Sequence, residues 1–220
     1  MVKNKKVLIT LASLLLLIAI VGIGGGVVLG EKDIDDINDY NREDINLAVS
    51  EVLKSMPEIS EELEQIRESR KNDVKSYISN DLPVKDLIDP KKIQFRLEVE
   101  NKLTNNSNEN LSTIAQKYAD NYLRAISIAE RVYGVTVSQE EVTKYIDKNV
   151  APFALKAKEQ YAKSLGLTTY ELDYIFDRDI YVMDTLWNKL IPVLMEKYPQ
   201  QSNEDDNAYL ERIKKEFYSN

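Results

Sequence analysis

The chain has neither cysteine nor histidine among its 220 residues. Their absence excludes a disulfide framework, a thiolate nucleophile and any Cys/His metal site. It also removes the acceptor that a bacterial lipoprotein signal requires. Glycine is nearly as scarce where it matters. Five of seven, Gly22, Gly24, Gly25, Gly26 and Gly30, fall in the first thirty positions, leaving Gly134 and Gly166 for the remainder. Sandwiches and barrels need many turns at positive φ and hence many glycines. A body with two glycines and abundant Glu, Lys, Leu, Ile and Ala is expected to be all-α.

Positive charge is also in short supply. Three of the 29 basic residues, Lys3, Lys5 and Lys6, lie in the first thirty positions, where there is no acid. From Glu31 onward 26 basic residues face 37 acidic ones, a net charge of −11. So acidic a body repels nucleic acid and anionic headgroups, so a nucleic-acid partner is not expected.

What is present begins with Val7 to Gly30, 24 consecutive positions without a charge. As a helix rising ~1.5 Å per residue, this run exceeds the ~30 Å hydrocarbon core of a bilayer. Lys3 to Lys6 precede it, and Glu31, Asp33, Asp35 and Asp36 follow. The positive-inside rule then gives a single-pass anchor with residues 1–6 in the cytoplasm and the body outside. The competing reading is a cleaved signal peptide, whose apolar core usually runs ~7–15 residues. The longer run and the lack of an A-x-A site favour an uncleaved anchor. Gly22-x-x-x-Gly26 has the spacing that lets two membrane helices approach, which allows a homodimer. Richness in Lys, Asn and Ile suits a low-GC genome, and an exported Gram-positive protein without disulfides is unremarkable.

Along the body, apolar residues recur at Ile34, Ile37, Ile45, Val49, Val52 and Leu53 until Pro57 stops the pattern. A polar stretch runs through Leu63, Ile66, Val74 and Ile78, and Pro83 and Pro90 bracket a connection. Ile93, Phe95, Leu97 and Val99 alternate with strand period, yet no partner strand exists, so helix is expected. Residues 31–104 thus form a helical membrane-proximal region. The polar run 105–110 (NNSNEN) reads as a linker and subdomain boundary.

Beyond it the helical signal strengthens. Leu111, Ile114, Ala115, Tyr118, Tyr122, Ala125, Ile126, Ala129 and Tyr133 share one face, and Gly134 supplies a stop. Ser138-x-x-Glu141 is a capping box for a helix with Val142, Tyr145, Ile146 and Val150 inward. Pro152 kinks that helix or opens another, whose face continues through Phe153, Ala157, Tyr161 and Leu165. Gly166 and Thr168-x-x-Glu171 repeat the stop and the cap. One long helix then carries Leu172, Ile175, Phe176, Met183, Leu186, Trp187, Leu190 and Leu194. A polar break leads to a terminal helix from Ala208 to Tyr218, with Leu210, Ile213 and Phe217 inward.

No catalytic constellation stands out, and a non-enzyme without metal or cofactor is expected. Asp33, Asp35, Asp36 and Asp39 lack the glycine and terminal Glu of a calcium loop and read as a solvated face, as do Glu204, Asp205 and Asp206. Glu171, Asp173, Asp177 and Asp179 read as the wet flank of an amphipathic helix. Nine of thirteen tyrosines fall between Tyr118 and Tyr198. They fill a helical core, and any surplus lines an exposed apolar groove.

The segment Ala119 to Pro199 resembles the N-terminal chaperone region of SurA- and PrsA-type foldases, akin to the C-terminal region of trigger factor. The likeness is carried by AERVYGVTVSQEEVTKYI (129–146), by SLGLTTYELD (164–173) and by LIPVLMEKYP (190–199). It implies a chaperone-like helical domain over residues 111–199 that binds unfolded or partly folded exported chains. The polar break and terminal helix leave 200–220 as a C-terminal helix and tail, and the charge-free run anchors the whole in the membrane. Tyr122, Tyr133, Phe153, Tyr161, Phe176 and Trp187 are then the candidate client-binding aromatics. There is no room for a parvulin domain, so isomerase activity does not carry over, and a lipid-anchoring Cys is replaced by Val7 to Gly30. The alternative is a non-catalytic structural or regulatory partner of one envelope or membrane protein.

Overall fold

A computed structural model describes residues 42–70, 82–104, 110–153 and 155–220. Every regular element among them is helical. In chain order these are α1 (Arg42–Ser55), α2 (Pro57–Ser69), a 3-10 turn (Val84–Leu87), α3 (Pro90–Thr104) and α4 (Leu111–Tyr133). They continue with α5 (Gln139–Asn149), α6 (Lys156–Ser164), the single turn α7 (Thr169–Glu171), a π-helical segment (Leu172–Phe176), α8 (Arg178–Lys197) and α9 (Asp206–Tyr218). The anchor segment 7–30, the acidic run 31–39 and linker residues 105–109 lie outside the described residues. Among those described, no helix is long and apolar enough to cross a membrane.

The helix punctuation follows local chemistry. Pro57, which ends the first apolar pattern, sits at the start of α2, where its missing N–H costs nothing. Both capping boxes form. The Glu141 amide donates to Ser138 Oγ and the Ser138 amide to Glu141 Oε2, and Thr168 and Glu171 repeat the exchange. Gly134 and Gly166 adopt φ of +66° and +70°, the left-handed caps that end α4 and α6.

One apolar core runs from Ile45 in α1 to Phe217 in α9. Its middle is α3, which packs along α4 and also against α1 and α2. Ile93, Phe95, Arg96, Leu97 and Val99 are all buried there. Neighbours on several sides explain why this helix shows an alternating apolar pattern instead of one stripe. The helices on either side of 105–110 therefore share one core. α6 lies on α1, α5 on α8, and α9 closes over α4 and α8 with Tyr209, Ile213 and Phe217 inward.

Two expectations need correction. Pro152 neither kinks nor opens a helix, because α5 ends at Asn149, α6 begins at Lys156, and Pro152 occupies the turn between them. The long helix expected after Thr168 is interrupted. Leu172 to Phe176 is wound as a π-helix, with the Asp177 amide donating to the Leu172 carbonyl at 2.8 Å.

Candidate functional site

The π-helical segment organises the most distinctive part of the molecule. Leu172, Asp173, Tyr174, Ile175 and Phe176 all face protein, and so do the next residues, Arg178 to Met183, in the first turns of α8. The carboxylates expected on a solvated flank lie inside, Asp173 within the π-helical segment and Glu171, Asp177 and Asp179 on either side of it. Glu171, Asp173, Asp177 and Asp179 are each at most 3% exposed. That reading of the sequence is overturned, and the physical reason is the cations brought to them by distant helices.

Arg96 of α3 reaches Asp177 and Asp179, with Nη1 3.0 Å from Asp177 Oδ1 and 3.1 Å from Asp179 Oδ1. Lys158 Nζ of α6 lies 2.5 Å from Asp173 Oδ2, and the Tyr181 hydroxyl donates to Asp173 Oδ1 at 2.7 Å. Arg70 pairs with Glu171, donating at 2.7 Å to Oε2, and also donates to the Gly166 carbonyl. Arg178 turns the other way, donating to Gln139 Oε1, the Gln139 carbonyl and Thr143 Oγ1. Burial pushes the Asp177 carboxyl up to about 6, with Asp179 adding to it and Arg96 opposing. For Glu171, burial pushes upward, but Arg70 and Thr168 together hold the carboxyl below its ordinary value. Four buried side-chain atoms among the described residues lack a hydrogen-bond partner, two of them, Tyr161 Oη and Arg96 Nε, in this network.

On the outer side of this network lies a partly open cleft of about 180 Å³. Its walls come from the α5–α6 connection (Ala151, Phe153, Leu155), from α6 (Lys158, Glu159), and from Thr169, Tyr170, Asp173 and Tyr174. The Thr168 cap fixes where α7 starts, and that places Tyr170 and Tyr174 four residues apart on one face. Their rings stack at 4.3 Å with 17° between planes. The Tyr174 hydroxyl donates to Asp147 Oδ1, which locks the inner ring. Phe153 and Tyr170 are 45% and 37% exposed, two of the few large apolar side chains that are. Beneath them the Lys158–Asp173 pair forms a polar base. A cleft of this size is smaller than the roughly 300–1,000 Å³ of small-molecule and cofactor sites. It fits one or two side chains of a peptide laid across it.

The six aromatic residues singled out from the sequence do not gather at one place. Phe153 lines the cleft. Tyr122, Tyr161 and Phe176 are buried core residues, and Phe176 packs edge-on against Phe95 at 6.0 Å. Tyr133 and Trp187 are half-buried beneath α9, each in contact with the Phe217 ring. Tyr170, Tyr174 and the Lys158–Asp173 base escaped sequence reasoning. The available signal was the i, i+4 tyrosine pair directly after a capping box. The ion pair had no signal, since Lys158 and Asp173 lie on different helices.

Comparison of the chain with protein-family models, curated proteins and solved structures finds no match.

Proposed function

We propose that this chain is a membrane-tethered, extracytoplasmic chaperone-like protein that holds unfolded or partly folded exported chains. The observation that carries the reading is the cleft where Phe153 and Tyr170 are exposed, with Tyr170 stacked on the buried Tyr174 beside a braced ion-pair network. Holding a client requires apolar, adaptable surface and no bond chemistry. An exposed ring beside a shallow cleft meets that requirement at modest loss of solubility. The resemblance of residues 119–199 to SurA- and PrsA-type chaperone regions points the same way. The charge-free run 7–30, flanked by lysines before and acids after, supplies the tether and the orientation.

The test is aggregation suppression. The full chain in lipid nanodiscs should slow the aggregation of several unrelated denatured proteins. Phe153→Ala combined with Tyr170→Ala should weaken that effect while the protein remains folded. If aggregation is not slowed and a single membrane protein co-purifies in stoichiometric amount, the chain is an adaptor and the chaperone reading is wrong.

A further inference from the structure

The charge around the cleft distinguishes it from a generic apolar patch. Among the described residues, the one cation in its lining, Lys158, is committed to Asp173 at 2.5 Å. Among the described residues, one carboxylate of the lining, Glu159, remains without an ion-pair partner, while Asp147 lies outside the lining with Oδ1 receiving the Tyr174 hydroxyl. The tyrosine stack has its outer ring, Tyr170, 37% exposed and its inner ring, Tyr174, buried. One flat, electron-rich ring beside the unpaired Glu159 carboxylate, on a body of strongly negative charge, complements a cation; the one cation close behind the tyrosine pair, Arg178, is buried and turned toward Gln139 and Thr143.

The shape selects among cations. A parallel tyrosine pair offers a plane, not a cage closed on several sides. A planar guanidinium stacks on such a face while its N–H fork points at a carboxylate, whereas an ammonium is compact, strongly hydrated and gains less from a flat ring. Phe153, Leu155 and Ala151 offer apolar surface for a neighbouring residue of the same segment.

We infer that the cleft recognises an arginine of an extended client segment, with the guanidinium over Tyr170 and facing Glu159 and an adjacent apolar residue against Phe153. This rests on the client-holding reading and names the segment that reading would take: one in which arginine is flanked by apolar residues. Neutral or acidic segments of equal hydrophobicity bind less well.

The experiment uses the full chain in nanodiscs and four fluorescent peptides of one apolar background, with Arg, Lys, Gln or Glu at the central position. Binding is read by anisotropy at low and high salt. The Arg peptide should bind at least about threefold more tightly than the Gln peptide, with Lys between them and Glu weakest. Glu159→Gln should erase most of the Arg-over-Gln preference. Tyr170→Phe should keep that preference and Tyr170→Leu should lose it, which a purely structural role for Tyr170 would not produce. Equal binding of the Arg, Gln and Glu peptides overturns the arginine assignment but leaves client holding intact. Failure of all four peptides to bind overturns both.

Discussion

Arg96 and Asp179 meet inside the core: the guanidinium donates to both carboxylate oxygens, and neither side chain reaches solvent. Arg96 is the largest fully buried side chain in the described structure, and it comes from α3, while Asp177 and Asp179 sit at the start of α8. The pair ties the central helix to the end of the π-helical segment and so fixes the face that carries the cleft.

Arg96→Met should therefore destabilise the protein by about 3–5 kcal/mol, because it strands two buried carboxylates without their cation. Urea unfolding followed by circular dichroism measures this. Lys144→Ala breaks an exposed pair with Glu140 one helical turn away and should leave the midpoint unchanged. A similar response of the midpoint to both changes would show that burial does not decide their worth here.

Acid titration offers a second check. Burial raises the Asp184 carboxyl from its ordinary range to about 7, and its Oδ2 has no hydrogen-bond partner. Tyr122, Tyr145 and Tyr181 face it and carry no positive charge. The folded protein thus holds a proton on Asp184 where the unfolded chain has lost it. The stabilising effect of that proton is present below about pH 4 and is lost as pH rises to about 7. Glu100, also raised to about 7 by burial, acts in the same direction. Asp184→Asn should raise stability at about pH 8 by up to roughly 4 kcal/mol and change it little at about pH 4. Urea midpoints across this range decide the matter. An equal gain at both ends would assign the effect to packing instead of ionisation.

Local chemistry made much of this fold legible in advance. The Ser138 and Thr168 boxes, the glycine stops at Gly134 and Gly166, and the apolar stripe of α4 are near-neighbour effects and form as read. The burial of the carboxylates in and around the π-helical segment was not legible, because their partners lie elsewhere along the chain: Arg70 meets Glu171, Lys158 meets Asp173 and Arg96 meets Asp177. The same nonlocality hid the candidate site. Phe153 could be singled out as an aromatic residue, but not its exposure, which depends on α5 ending three residues before Pro152.

The two glycine stops are not equivalent. At both, a side chain must adopt positive φ, a strain of about 1–2 kcal/mol. A Cβ at Gly134 meets open space, whereas at Gly166 it would lie 3.0 Å from Arg67 Nη1. That nitrogen donates to the Leu165 carbonyl and helps hold α2 against the end of α6. Gly166→Ala should accordingly lower the melting temperature further than Gly134→Ala. The reverse order in calorimetry would mean that Arg67 yields without loss.

Phe153 and Phe176 give the sharpest contrast within the aromatic set. Both are phenylalanines, yet Phe153 is 45% exposed at the cleft and Phe176 is fully enclosed against Phe95. Lys92 donates to the Phe176 carbonyl at 3.1 Å and its ammonium sits 5.3 Å from the ring centre, adding to the packing. Truncating an enclosed ring removes its contacts and leaves a cavity, so Phe176→Ala should cost about 3–5 kcal/mol. Phe153→Ala removes a half-exposed ring and leaves no enclosed cavity, so it should cost far less, about 1 kcal/mol. The same two variants should divide oppositely in peptide binding. Phe153→Ala loses affinity while folded, and Phe176→Ala retains affinity at temperatures where it remains folded. Melting curves and anisotropy on the same samples read both effects. Loss of affinity by folded Phe176→Ala, with none by Phe153→Ala, would move the binding surface away from the cleft.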